Sequence, residues 1–413
     1  MFTARGKTIQ HGTAFKNPIG VNLNKNTFSP SDSTLRVVCI LPLLGHPRHA
    51  KRIEMLNQYG FLVSGLAFHR EYHKGRLPPC EIDGLGVIEN RKYLKRIWTY
   101  LKALPKIRKA VSQCDIVYTF GADSALLVLL VQLFNRKPIC MEVGDIFKSQ
   151  LGDGIKGRTI RKLLAFVANK CSLIVVTAPK FLDIYFREWL QTQTNGIVLE
   201  NKVEGELTES FDRPNFQNQL KGKPLVDRPL TIGYFGLLRD LWPWQVFEEL
   251  SKHYGDDVRI VFRGIPFECL TDLIERIKPY PNMTYGGEYK SPDDLPELYR
   301  DVDLVWVCYD PIGEHDWNKK WARPNRFYES CCFRRPIVSR NGCQDSVDVK
   351  KYGIGYVMSE TDPARGAEAI MNISADQLEA WQRNMDKLPK HVYAYTDEWQ
   401  QLGSLMAKTV RKS

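Results

Sequence analysis

At 413 residues the chain is longer than one ordinary core organises, so two domains of about 150–200 residues each are expected. Its 43% hydrophobic and 25% charged residues are those of a soluble globular protein, and its longest apolar run, ALLVLLVQLF (125–134), suits a buried helix rather than a membrane span. The net charge of +11 is uneven: residues 1–200 hold 29 Lys+Arg against 14 Asp+Glu, and residues 201–413 hold 29 against 33, so one half is specifically basic and points to an anionic surface or ligand.

Residues 1–35 lack an apolar signal core and read as a disordered tail. Strands are expected at 36–42 (RVVCILP), 61–66, 115–120, 138–143, 173–178 and 197–200, with helical lengths such as 46–59 and 181–191 between them. The loop after the first strand, LPLLGHPRHAKR (41–52), carries His46 and Arg48, which reach either a cleft or solvent. The stretch 91–109, RKYLKRIWTYLKALPKIRK, has eight Lys/Arg, no acid, and interleaved Tyr93, Trp98 and Tyr100. With 156–170 it has the composition of a membrane interface, aromatic rings at the headgroups and cations such as Lys95, Arg96 and Lys102 on anionic lipid, although one basic helix alone is more often a solvated face. MEVGDI (141–146) places Glu142 and Asp145 at a strand end. Either carboxylate suits a general base, Asp145 first and Glu142 in reserve, and either also suits a loop or cap role.

Residues 204–229 are polar and aperiodic with three prolines, and 206–229 form the expected linker between a 36–205 and a 230–395 domain. The strand pattern then restarts at 230–235, 258–262, 283–286, 303–308, 336–339 and 354–358, and 396–413 forms a last helix able to cross the cleft. Continuous apolar strands alternating with helices give the fold class: α/β, two Rossmann-like parallel sheets facing a cleft where ligands bind beyond the strand ends. The ten cysteines, without a C-x-x-C, read as small buried residues in a reducing compartment.

Strand ends in the second half carry the anion-binding signals. IGYFGLLRD (232–240) offers Gly236 for close backbone approach and Arg239 as a fork, and IVFRGIP (260–266) repeats this with Arg263. WARPNRFYESCCFRRPIV (321–338) opens a helix at Asn325, with Arg326 adding charge and Glu329, read as a first-turn residue, able to accept from a ribose diol or simply to complement the helix dipole.

The order of these pieces resembles the nucleotide-sugar domain of GT-B glycosyltransferases, in particular the family-4-like group that builds bacterial surface polysaccharides. That family's P-x-K-x-x-E-Y-x-x-x-G-K-P-V-V implies that Glu329 holds the donor ribose, with Arg326 in place of the family's Lys and Arg239 near its first phosphate ligand. Two positions depart: Trp321 stands where the first Glu of E-x7-E is expected, and Trp244 where a second basic residue follows Arg239. The resemblance implies a nucleotide-diphosphate sugar as substrate and no cofactor or metal; His46/His49 and His69/His73 lack a supporting ligand cluster. A lipid-linked, polyprenyl-diphosphate glycan as acceptor and an anionic membrane surface as partner account for the basic half, giving a cytoplasmic protein peripheral on the inner face of the membrane. A GT-B nucleotide-sugar epimerase and a basic polyanion-binding protein are the alternatives. The epimerase needs no basic membrane face, and no motif that reads nucleic acid is visible.

Overall fold

A computed structural model describes residues 34–69, 76–89, 92–132, 136–152, 154–211, 228–314 and 316–411. The expected tail, but for residues 34 and 35, and linker residues 212–227 lie outside these. Among the described residues thirteen strands form two sheets. The first takes β1 (Arg36–Leu41), β2 (Leu62–His69), β3 (Glu81–Val87), β4 (Ile116–Phe120), β5 (Ile139–Val143), β6 (Leu173–Val176) and β7 (Gly196–Val198) in the order β3-β2-β1-β4-β5-β6-β7. The second takes β8 (Leu230–Leu238), β9 (Val258–Pro266), β10 (Met283–Tyr285), β11 (Leu304–Trp306), β12 (Ile337–Arg340) and β13 (Gly355–Met358) in the order β10-β9-β8-β11-β12-β13. Every pairing between these strands is parallel.

Both sheets are covered on two faces, which is why their central strands read as unbroken apolar runs. In the first sheet, Val38, Ile40 and Val117 pack under the helices Tyr93–Gln113, Ala122–Val131 and Ile155–Lys170. Val37, Cys39 and Tyr118 pack under the helix Pro47–Tyr59 together with Leu402 and Met406 of the last helix, Glu398–Arg411. The chain's C-terminus therefore completes the first domain's core rather than the second's. There Gly403 lies flat on Tyr59, where a Cβ would come within 2.1 Å of the ring.

Two features differ from the sequence reading. Strand β3 was not expected; it is an edge strand with Gly84 and Gly86, mostly exposed, and so lacks an apolar period. The linker region opens with a helix, Gly205–Phe211, because Leu207 and Thr208 pack inward. The two crossings between domains run side by side: Val203 N–H donates to Tyr393 O at 2.8 Å, and Tyr395 N–H donates to Val203 O at 3.0 Å. In each sheet the strand order reverses at one place, β1/β4 and β8/β11, and loops leaving those strand ends are where such sheets hold ligands.

Candidate functional site

The switch point of the second sheet is built around Arg326. The helix Asn325–Cys332 starts behind Pro324, which has no capping side chain, and it buries Arg326 and Glu329 on its inner side. Arg326 donates to Phe235 O and Val307 O, each at 3.4 Å, and its guanidinium lies over Tyr234 (5.2 Å) and Tyr309 (5.4 Å). It places a fixed positive charge under the floor between β8 and β11. Arg239 is half-buried beside Tyr234 and Tyr309, and its guanidinium makes no hydrogen bond or ion pair among the described residues. An unpaired, half-buried cation at a strand end is suited to an anion.

Glu329 lies in the helix's second turn, which corrects its assignment to the first turn and weakens the dipole explanation. One oxygen accepts from Tyr299 Oη at 2.8 Å. Burial holds its carboxyl above the usual range, against the pull of Tyr299, Lys51 and Arg326. Lys51 comes from the first domain, and with Asn201, Leu295, Asn325, Tyr328 and Glu329 it helps to enclose a cavity of about 20 Å³ between the domains. Asn325 itself accepts from Asn201 Nδ2 across the same gap.

Gly236 (φ +100°) and Gly264 (φ +127°) lie side by side on β8 and β9. A Cβ on Gly264 would come within 2.0 Å of Gly236 O, so the two strands approach only because that position is glycine. At Gly236 the nearest atom to a Cβ is Tyr289 Oη at 3.8 Å, which leaves room for a ligand against the backbone. Arg263 departs from its expected role as a phosphate fork: its Nε and Nη2 donate to Gly287 O and Glu288 O, both at 3.2 Å, and brace the loop after β10.

Behind this floor, Asp345 is wholly buried in the first turn of the helix Gln344–Tyr352. Burial pushes its carboxyl up to about 6, although Arg323, Arg326 and nearby backbone N–H groups favour its anion. A carboxyl raised in the folded state stabilises fully below its unfolded value, and that contribution is lost as pH rises through about 6. Asp345→Asn is therefore expected to raise the unfolding midpoint at neutral pH and to flatten its decline between about pH 4 and 7, as thermal denaturation across that range would measure.

On the first-sheet side, Glu142 has a different role from its assignment as reserve base. It is buried, receives Arg52 Nε at 2.8 Å and Nη2 at 3.2 Å, accepts from Tyr118 Oη at 2.5 Å, and lies 3.4 Å from Arg48 Nε. Burial pushes its carboxyl up, but these cations and the tyrosine outweigh it and hold the group below the usual range. A carboxylate so occupied has no lone pair directed at a substrate. Asp145 is exposed at the cleft, 3.6 Å from Arg48 Nη1. Arg48 spans both carboxylates by lying against Gly144, where a Cβ would sit 1.6 Å from Nη1. His46 caps the helix Pro47–Tyr59 by accepting from Arg48 N–H at 3.3 Å. His49, stacked on His46 and buried against Phe120, is kept well below the ordinary imidazole range by burial and neighbouring cations.

The short helix Trp317–Trp321 joins the two sides. Trp321 packs into the first domain's core near Phe181 (6.4 Å), and Trp317 lies near Trp189 (5.1 Å). Asn318 Nδ2 donates to Asp145 Oδ1 at 3.0 Å while its Oδ1 accepts from Ile146 N–H at 3.3 Å. Lys319 turns the other way, to Asp240 (2.6 Å) and Asp310 (3.2 Å) at the second-sheet switch point. Sequence reasoning missed Lys51, Tyr289, Tyr299, Asn318 and Lys319. Only the apolar-polar alternation of WNKKW hints at a segment facing two ways.

Of the expected membrane residues, Trp98 is exposed with Lys102 Nζ 5.3 Å over its ring, and Lys95 pairs with Glu89. Arg96 is a correction: it is held sideways along the surface by Tyr100 Oη (2.8 Å) and by Asp123 (2.9 Å) of the neighbouring helix. Among the described residues no group of three or more His, Cys, Asp or Glu is placed to hold a metal ion, and no helix is long and apolar enough to cross a membrane.

No protein-family model matches the chain. It is 26% identical over 339 residues, 79% of its length and 82% of the other's, to a succinoglycan biosynthesis protein, ExoL, of Rhizobium meliloti. Its fold is shared with Anabaena HepE in complex with UDP and glucose, at TM-score 0.63, 13% identity, and coverage of 91% of this chain and 99% of that one. It is shared also with the sucrose-phosphate synthase of Thermosynechococcus elongatus, at TM-score 0.68, 14% identity, and coverage of 92% and 100%.

Proposed function

We propose that this chain, which has the GT-B fold of the glycosyltransferases, transfers a sugar from a nucleoside diphosphate to a polyprenyl-diphosphate-linked glycan during exopolysaccharide assembly. The observation that carries the reading is the buried Glu329 beside a floor of glycine-lined strand ends, with Arg239 and Arg326 as cations. A carboxylate with one oxygen fixed by Tyr299 has its other oxygen available to a ribose diol. The diphosphate then falls near Gly236, Arg239 and the start of the Asn325–Cys332 helix, where the N–H groups and guanidinium charge stabilise the leaving group. The similarity to a succinoglycan biosynthesis protein supports the polysaccharide setting, and the bound UDP and glucose of HepE support a nucleotide donor.

In this reading Asp145 accepts the proton of the acceptor hydroxyl as the new glycosidic bond forms, the donor's C1–O bond breaks and the nucleoside diphosphate leaves with that electron pair. Arginines and a helix start carry the charge that a divalent ion carries elsewhere, so no metal is needed. The cavity beside Glu329, about 20 Å³, has room for about one water and not for a ribose, so in this reading the donor binds by opening of the cleft. The protein works in the cytoplasm at the inner face of the membrane, where a polyprenyl-linked glycan presents its end.

Thermal-shift measurements with UDP, GDP, ADP, dTDP and CMP test the donor site. One nucleoside diphosphate is expected to stabilise the protein by about 2.7 kcal/mol at 100 times its Kd. The shift is expected to survive EDTA and to disappear in Glu329→Ala. A panel without any shift would refute the donor site.

A further inference from the structure

The helices Tyr93–Gln113, Ala122–Val131 and Ile155–Lys170 form one layer on the same side of the first sheet, in that order. Their inward residues, such as Ile107, Val128 and Val167, fill the core. Their outward residues combine two things that a merely solvated surface does not. The first is charge of one sign: the two flanking helices carry eleven Lys/Arg and no Asp or Glu. The second is large apolar side chains held in solvent: on these helices Ile155 is 79% exposed, Trp98 59% and Phe166 54%, and Phe147, just before the short helix Lys148–Leu151, is 63% exposed.

The arrangement has a direction. Phe147 opens the short helix Lys148–Leu151, which packs against Ile155–Lys170, and it stands two residues from Asp145. Lys148 pairs with Asp316 of the second domain at 2.6 Å, so this end of the layer borders the cleft. At the same end Arg161 lies over the ring of Trp189 (5.1 Å), while Trp98 marks the far helix.

We infer that the outer face of this three-helix layer is the protein's membrane-docking surface. Phe147, Ile155 and Phe166 enter the headgroup region of an anionic bilayer beside the cleft, and the lysines of both flanking helices meet lipid phosphate. This inference rests on the transferase reading only for its purpose, since a cleft held at the bilayer meets a lipid-linked acceptor without extracting it. The chemistry of the partner follows from the patch. The two flanking helices present cations alone, and Asp123 of the middle helix is paired with Arg96, so the layer complements an anionic plane. Exposed aromatic and branched side chains suit the interfacial region. The bilayer also favours Phe147 and Ile155 as anchors over Arg96, which is committed to Asp123.

Co-sedimentation of the full chain with phosphatidylcholine vesicles, with and without phosphatidylglycerol, tests this. The protein is expected to sediment with the anionic vesicles and to be released by raised salt, as screening shortens the reach of its charges. Phe147→Ser with Ile155→Ser is expected to lose most of the binding, and Lys156→Glu with Lys162→Glu to weaken it by at least about thirtyfold. All four side chains are exposed, so both variants are expected to keep the wild-type unfolding midpoint. Wild-type protein that stays in the supernatant, or variants that sediment equally, would overturn the assignment. So would a dimer in sedimentation velocity that the apolar variant dissociates, because a second copy would then cover this face. Nucleoside diphosphate shifts measured on the same samples keep the donor reading separate: if they persist without vesicle binding, only the docking surface is wrong.

Discussion

Asp145→Asn is expected to lower turnover by about 10²- to 10⁴-fold while leaving the donor-induced thermal shift intact. The residue is exposed at the cleft on the first-sheet side, whereas the proposed donor contacts are Glu329, Arg239 and the Asn325–Cys332 helix on the second-sheet side. Its carboxylate is held from two directions: Asn318 Nδ2 on Oδ1, and Arg48 near Oδ2. Neither blocks it as Arg52 and Tyr118 block Glu142. Asparagine keeps the size and the contact with Asn318 but cannot take a proton. The measurement is release of the stabilising nucleoside diphosphate from its sugar donor, with isolated membranes as the source of acceptor. A variant as active as wild type would leave the cleft without a base and favour a route in which Asp145 only positions the acceptor.

Arg52→Ala is expected to destabilise the protein by about 3–5 kcal/mol, a large part of the ordinary stability of a folded chain. Arg52 is fully buried, and its guanidinium serves Glu142 twice and Leu199 O once. Truncation leaves the carboxylate with Tyr118 and the longer Arg48 contact in a dry site. The pH dependence has a definite sign. Because Glu142 is held below its usual range when folded, its contribution is present above the unfolded value, about 4.3, and is lost as pH falls through the depressed folded value. Urea titrations at neutral and acidic pH should therefore show wild type losing stability in acid and Arg52→Ala losing less, since the cation that depresses the carboxyl is gone. Equal acid sensitivity in both would mean that other carboxylates govern the acid limb.

The fold was legible wherever burial on both faces forces an apolar run. The twelve expected strand positions are all strands, because parallel strands under helices leave no polar alternation to mislead. The exception, β3, sits at the edge and contains two glycines, so its pairing is held by β2 and not by its own residues. In the candidate site, Gly236 on β8, Arg239 just beyond it and Glu329 on the helix Asn325–Cys332 could be singled out because each is marked by its own local element. The site was not legible where a task depends on a partner far along the chain. Glu142 and Asp145 are three residues apart in one motif, yet Arg52 buries the first and Asn318 orients the second. Trp321 stood out only as a missing glutamate. Its actual partner, Phe181, lies 140 positions earlier in the other domain.

The docking of Glu398–Arg411 on the first sheet has a consequence for taking the molecule apart. The first domain is discontinuous in sequence: it consists of a long N-terminal piece and a closing helix, with the second domain inserted between them. A fragment ending at the linker would expose Leu41, Leu56 and Tyr59 where Leu402 and Met406 belong. A chimaera that exchanges the second domain with that of a related protein therefore needs two junctions, one near Val203 and one near Ala394, where the chain passes itself in parallel. Even then the recipient must accept Trp317 and Trp321, because the inserted domain carries part of its neighbour's core.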